Sequence, residues 1–393
     1  MKKFLLIPLL IVLLTGLIFS GCAEPAPAPA PAPTPTPTPA PAPAPTPAPA
    51  PAPAPTAPEV ITLVYENQNP IAGWDGTDGT YPWLMEVEKA TKGRVKFEVY
   101  YGQTLCKGAD SWEAVKTGIA DVGWMFFPYW PGMTPVTDVI GLPMMPYKSA
   151  EQASGIVWKV YEKYPSIQNE YKENKNLIFH TSVPYFIITT KKQVKTLEDV
   201  TGLKIRTIGG VPVEWMKSLG ASPMLTPMPD VYLNLQKGVI DGMGNVFEAI
   251  YSFRHYELVK YYTYVPLWTG YFSQSMNWDK WNSLPPDIQE QMWTVCGENG
   301  SRTLGKNWMD DAALVLRDVV AKEGYEMVEY TLPPEELERW IATAKPFREA
   351  WVNKTVAAGH PEAQEILDTV LSLIETEPAH KADTLDIGSY VSK

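Results

Sequence analysis

The sequence predicts an α/β protein of two lobes built on mixed sheets, with a ligand cleft between them and a long helix in the C-terminal half. Three observations carry this. A strand, helix, strand succession opens the folded body at Ile61. A short unit that ends a helix on Gly and meets an Asp three residues later occurs twice, as Gly118-Ile-Ala-Asp121 and Gly238-Val-Ile-Asp241. The body that begins at Glu59 is long enough for more than one core, and it holds every tryptophan of the chain.

Taken in order, Ile61 to Tyr65 reads as a strand and Tyr81 to Ala90 as a helix. Arg94 to Tyr101 reads as a second strand, with Val95, Phe97, Val99 and Tyr101 on one face. Ser111 to Thr117 is a short helix before the strand Ala120 to Met125. Leu177 to Phe179, Tyr185 to Thr190 and Lys204 to Arg206 are strand-like, and Val213 to Leu219 is helical. The second unit then runs from the helix Asp230 to Lys237 into the strand Val239 to Met243. In both units Gly suits the left-handed helix terminus, and the apolar pair that follows suits entry into a buried strand. Pro285 and Pro286 open a long, bent helical region toward Lys322, stopped by Gly324. Tyr325 to Tyr330 is extended, and Pro333 to Val352 is helical. Beyond Gly359 the pattern weakens, leaving open whether the tail covers the body or mediates self-association. The expected division is residues 59–183 with about 272–310 in one lobe, 184–271 with about 311–355 in the other, and 356–393 as tail.

The ends differ in kind from this body. Lys2 and Lys3 precede an apolar run from Phe4 to Leu14, which describes an export signal over residues 1–21; a retained anchor helix is the alternative. Ser20-Gly21-Cys22 resembles a bacterial lipoprotein box, making Cys22 the expected site of lipidation and membrane attachment. From Pro25 to Pro55 every odd position is proline, with Ala or Thr between. Residues 22–58 therefore read as a semi-rigid polyproline II stalk, reaching about 95 Å at roughly 3.1 Å per residue over the alternating run. Cys106 and Cys296 are left in the body, and nothing in the sequence brings them together.

With 44 acidic against 33 basic side chains the formal charge is −11, which argues against a nucleic-acid groove. The residues of catalysis are missing as patterns. The four histidines, His180, His255, His360 and His380, are scattered without HExxH. No serine sits in a GxSxG elbow, and no glycine pair has P-loop or dinucleotide spacing. No cofactor, metal site or enzyme activity is expected.

Thr201-Gly-Leu-Lys-Ile-Arg206, Leu219-Gly-Ala221 and Asp230-Val-Tyr-Leu-Asn-Leu-Gln-Lys-Gly-Val-Ile-Asp-Gly242 carry a resemblance to the DctP-type solute-binding proteins of tripartite ATP-independent periplasmic (TRAP) transporters. Gly102-Gln-Thr-Leu105, Leu142-Pro143 and Leu284-Pro285 extend it across roughly Ile61 to Val352. The resemblance implies a periplasmic-binding-protein-like fold closing on a small organic anion, usually a carboxylate, with TRAP membrane permease subunits as partner. It leaves monomer or dimer open. Arg206 is the expected anchor, since a guanidinium fork makes two charge-assisted hydrogen bonds to one carboxylate. Gly209 is expected to allow close backbone approach, and Asn245 and Asn67 to offer amide contacts. Phe186 stands where the sialic-acid-binding branch of the family places arginine, Phe126 where it places glutamate, and Met228 where it places an aromatic ring. Those apolar exchanges predict a compact or partly apolar monocarboxylate, because a polyhydroxylated sugar acid would be left with unpaired buried groups. Tyr185, Trp268, Trp74 and Trp124 are expected as aromatic walls. Gly244 replaces a common acidic position, so no metal is assigned. The receptor of an ATP-driven importer and an envelope-tethered interaction protein are the alternatives.

Overall fold

The computed structural model describes residues 59–380. The signal segment, Cys22, the proline stalk and residues 381–393 lie outside the described residues. Along the chain the strands are β1 (Ile61–Glu66), β2 (Val95–Tyr100), β3 (Val122–Phe126), β4 (Lys175–Thr181), β5 (Phe186–Thr189), β6 (Lys204–Thr207), β7 (Ser222–Leu225), β8 (Gly242–Asn245), β9 (Tyr261–Tyr264), β10 (Tyr271–Met276) and β11 (Val328–Thr331). They form two sheets, ordered β2-β1-β3-β10-β4 and β11-β9-β5-β8-β6-β7. In the first, β1 runs parallel to β2 and β3, while β10 is antiparallel to β3 and β4. In the second, β6 is parallel to β7 and β8, and β5 is antiparallel to β8 and β9. The result is a two-lobed, mixed α/β fold in which the chain leaves the first sheet after β4, returns for β10, and leaves again before β11.

The first two crossings run side by side. Ser182 N–H donates to the Gly270 carbonyl at 2.9 Å, Tyr185 N–H to the Trp268 carbonyl at 2.7 Å, and Leu267 N–H to the Tyr185 carbonyl at 2.8 Å. A two-stranded backbone ribbon thus joins the lobes. Helix Pro334–Ala357 spans both: Trp340 packs edge-on against Trp215, and Trp351 Nε1–H donates to the Pro135 carbonyl at 2.9 Å.

The repeated Gly-x-x-Asp unit has one geometry in both lobes. Gly118 (φ +77°) and Gly238 (φ +68°) each close a helix in the left-handed region that glycine adopts without strain. Asp121 then accepts the Val64 N–H at 2.8 Å, and Asp241 accepts the Lys204 N–H at 2.9 Å. Each aspartate also donates its own N–H to the carbonyl of that same residue. The carboxylate therefore pins the beginning of a new strand onto the neighbouring parallel strand.

Two expectations need correction. The region from Pro285 to Lys322 is three α-helices, Pro286–Trp293, Gly297–Leu304 and Ala312–Glu323, with a π-helical stretch at Gly305–Asp310. Gly297 at φ +64° interrupts the first junction, and the wider turn carries Trp308. The tail is more ordered than its patterning suggested: Ala363–Thr376 is a helix that buries Ile366, Leu367, Val370 and Ile374 on the core of the first lobe. Cys106 and Cys296 are free thiols.

Asp121→Ala and Asp241→Ala should each lower the unfolding free energy by about 1 to 3 kcal/mol, because each leaves a partly buried backbone N–H without an acceptor. Urea denaturation of the two variants measures this, and similar losses in both are the expected result of their shared geometry.

Candidate functional site

Strand alternation and register build one wall of the site. Trp124 and Phe126 are two residues apart on β3 and so face the same side, and β10 sets Phe272 directly opposite Phe126. The rings of Trp124, Phe126 and Phe272 stack as a floor, with centroids 4.9 Å apart for Phe126 and Phe272 and 5.1 Å for Trp124 and Phe272. His180 from β4 stacks beneath Phe272 at 4.7 Å. Burial alone takes its pKa down to about 3, so it is a neutral ring extending the floor.

Over this floor lies a cavity that is narrow with the lobes shut, about 30 Å³. Its opposite wall comes from the second lobe: Tyr185, Met228, Val246, Glu248, Ala249 and Phe253. Gln68, Asn69 and Tyr129 close one side, and Trp308 and Met309 of the π-helical stretch another. The apolar cluster around the second sheet runs through Trp124, Phe126 and Phe272 of the first, so the lobes are shut on one another.

Arg206 projects from β6, paired between β7 and β8, and is fully buried. Its Nε–H donates to the Thr226 carbonyl at 3.1 Å and Nη1–H to the Gly244 carbonyl at 3.4 Å. Nη2 is buried without a partner, and no carboxylate among the described residues pairs with this guanidinium. The charge is instead felt by two tyrosines of the cavity wall. Burial raises the hydroxyls of Tyr129 and Tyr185, the latter to about 12, and the nearby Arg206 charge opposes both shifts. Tyr129 Oη accepts the Gln68 Nε2–H at 3.1 Å and the Met228 N–H at 2.9 Å, joining the lobes at this end while leaving its own proton to donate.

The other expected residues divide clearly. Tyr185, Met228, Phe126 and Trp124 line the cavity. Phe186 does not, because the residue after Tyr185 faces the other side of the strand; its ring packs on Phe247 and Tyr264, 4.7 and 5.2 Å away. Asn245 sits behind Met228 with Nδ2 3.7 Å from that residue's sulfur, 3.4 Å from Met243 Sδ and 3.5 Å from His255 Nδ1. Asn67 is enclosed in a local network, donating to Asp75 at 2.8 Å and Thr80 at 3.0 Å. Gly209 faces its own chain: an added Cβ would lie 2.4 Å from the Pro128 carbonyl oxygen. Trp74 lies on the first lobe, edge-on to Tyr251, with its N–H donated to Ser252 Oγ at 2.9 Å.

Trp268 stands outside the cavity lining but explains Gly244. A Cβ built at Gly244 would lie 2.4 Å from the Trp268 ring, so the indole fills the volume that a side chain there would need. An apolar ring thus occupies the space beside the glycine whose carbonyl accepts from Arg206.

Tyr129, Gln68, Asn69, Glu248, Phe272, Trp308 and Met309 were not anticipated. Phe272 was legible only through its cross-strand partner, and Trp308 depends on an irregular helical turn. Tyr129 lies two residues beyond the last residue of the aromatic run Phe126-Phe127, and nothing local singles out Gln68 or Asn69 beside Asn67.

The arrangement offers one buried cation with an unused donor, two tyrosine hydroxyls and an aromatic slot, and no nucleophile with an adjacent base. It is suited to holding an anion rather than transforming it. Residues 77–355 match the family model of DctP, bacterial extracellular solute-binding protein, family 7. A solute-binding protein of Chromohalobacter salexigens is 29% identical over 204 residues, covering 49% of this chain and 59% of that relative. The match therefore spans about three-fifths of the length of that curated relative. A TRAP solute-binding protein of Rhodoferax ferrireducens T118, solved with copurified benzoate, superposes with a TM-score of 0.76 at 25% identity, over 80% of this chain and 98% of that one. A marine metagenome TRAP solute-binding protein specific for aromatic acids, solved with 3-hydroxybenzoate, gives a TM-score of 0.76 at 26% identity, over 81% and 98%. With its family match covering most of the folded body, and its two lobes closing on a site made for binding, this chain belongs to the DctP family of extracellular solute-binding proteins that serve TRAP transporters.

Proposed function

We propose that this protein captures an aromatic or otherwise partly apolar monocarboxylate and delivers it to a TRAP permease. The observation that carries the reading is Arg206, a fully buried guanidinium with an unpartnered Nη2 and no carboxylate partner among the described residues, whose charge reaches Tyr129 and Tyr185 in the wall of a cavity floored by three stacked rings. An uncompensated charge in a low-dielectric interior is costly, and a docking carboxylate relieves that cost through charge-assisted hydrogen bonds. Tyr129 and Tyr185 are placed to donate to the same anion. Trp124, Phe126 and Phe272 would take the ring or apolar part of the solute, excluding water from it.

The residues lining this cavity include no cation, which leaves Arg206, close to Tyr129 and Tyr185, as the charge for one carboxylate. That argues for monoanions over dicarboxylates, and the benzoate and 3-hydroxybenzoate bound by the two structural relatives agree with it. Because the lining comes from both lobes, solute would stabilise the shut arrangement in proportion to its preference for that state. Release then falls to the permease favouring the open one. Anchoring through lipidated Cys22, with the proline stalk holding the receptor clear of the membrane, completes the proposed arrangement.

Isothermal titration of the exported body with benzoate, phenylacetate, pyruvate and succinate tests the ligand class. Aromatic monocarboxylates should bind best, and binding confined to succinate would overturn the reading. Arg206→Met should weaken benzoate binding by about 30-fold or more, since truncating one partner of a buried charge pair costs at least about 2 kcal/mol. Circular dichroism confirms that the variant is folded, and unchanged affinity in a folded variant would remove Arg206 from its role.

A further inference from the structure

Glu248 and Trp308 place polar groups in the cavity wall in addition to Gln68, Asn69 and the two tyrosines. Glu248 is 6% exposed and contributes directly to the cavity wall, among Val246, Ala249, Phe253 and the stacked rings. Its Oε1 accepts the Ser252 hydroxyl at 2.7 Å, and Ser252 Oγ in turn accepts the Trp74 N–H at 2.9 Å. Backbone of one lobe thus fixes, through a serine, a carboxyl group of the other. The position is tight: an added Cβ on Gly73 would lie 2.6 Å from Ser252 Oγ. Trp308, fully buried, lines the same end, and its indole N–H lies close enough to the Glu248 carboxyl to draw its pKa down without a fully formed hydrogen bond between them. A buried donor and a buried carboxyl, adjacent and incompletely used, are expensive unless something in the cavity completes them.

We infer that Glu248 and Trp308 form a seat for a hydroxyl group on the bound acid, so that the preferred solutes are hydroxy-substituted aromatic monocarboxylates. This rests on the aromatic monocarboxylate reading above and refines it. A hydroxyl carries one proton to donate and two lone pairs to accept. It can give its proton to Glu248 and receive the Trp308 N–H, which a second carboxylate or a bare ring edge cannot do. Burial first, and the Asp75 charge further, raise Glu248 to about 7, with the Ser252 and Trp308 contacts opposing. An acidic group there, in either protonation state, accepts from a hydroxyl, and it repels a second solute carboxylate when ionised.

The test is the ratio of affinities for 3-hydroxybenzoate and benzoate, by isothermal titration, in the wild type, Glu248→Leu, Glu248→Gln and Trp308→Phe. The wild type should prefer the hydroxylated acid by about tenfold, the worth of one good buried hydrogen bond. The preference should collapse toward unity in Glu248→Leu and fall in Trp308→Phe, which removes the N–H and keeps most of the ring. If Glu248→Leu does not fold, Glu248→Gln and Trp308→Phe decide, and an undiminished ratio in both overturns the assignment. Benzoate binding without a wild-type preference for its 2-, 3- or 4-hydroxy forms overturns the hydroxyl seat alone. Binding of neither benzoate nor any hydroxybenzoate overturns the seat together with the aromatic-acid reading beneath it.

Discussion

The structure is organised around a positive charge that the protein itself does not neutralise. Arg206 is taken wholly out of water, and two carbonyl groups, Thr226 and Gly244, are its hydrogen-bond acceptors. Carbonyl dipoles soften the field of a buried guanidinium but do not cancel its charge. Placing such a group on a strand flanked on both sides holds it rigidly, and the glycine that supplies one acceptor also makes room for the Trp268 ring. The second lobe thereby keeps a buried positive charge that no carboxylate among the described residues offsets.

The first lobe answers with aromatic surface. The antiparallel pairing of β10 against β3 brings Phe272 across from Phe126, and the strand period puts Trp124 on the same side. Neither lobe supplies the whole cavity wall by itself. The wall is complete only where the sheets face one another, with Tyr129 bridging to Met228 across the gap. A ligand held there would therefore favour the shut arrangement in proportion to its preference for it.

Much of this was legible in the sequence where the signal is local. The Gly-x-x-Asp unit marked a helix end and a strand start in each lobe, and both aspartates pin parallel strands as that pattern implies. Arg206, a few residues before Gly209 and a helix, stood out by residue type and family resemblance together, and the fold buries it without a carboxylate partner among the described residues. What escaped depends on partners distant along the chain. Phe186 reads as a site residue by its position in the family pattern, yet one step of strand alternation turns it into the core. Asn67 reads as a ligand donor, yet Asp75 and Thr80 hold its amide. Phe272 and Trp308 gave no local sign, since one depends on cross-strand register and the other on a π-helical turn. The tail helix carries an apolar stripe of Ile366, Leu367, Val370 and Ile374, but the surface it covers is set by partners distant along the chain.

The π-helical turn at Gly305–Asp310 has a mechanical meaning beyond its place in the wall. Downstream of it the chain passes from the first lobe to the second for the last time, beside a ribbon that already ties them, so it forms a third strut of the joint. Because Trp308 belongs both to the cavity wall and to the helical turn just before the last crossing between the sheets, any change in the packing of that wall is felt at the crossing.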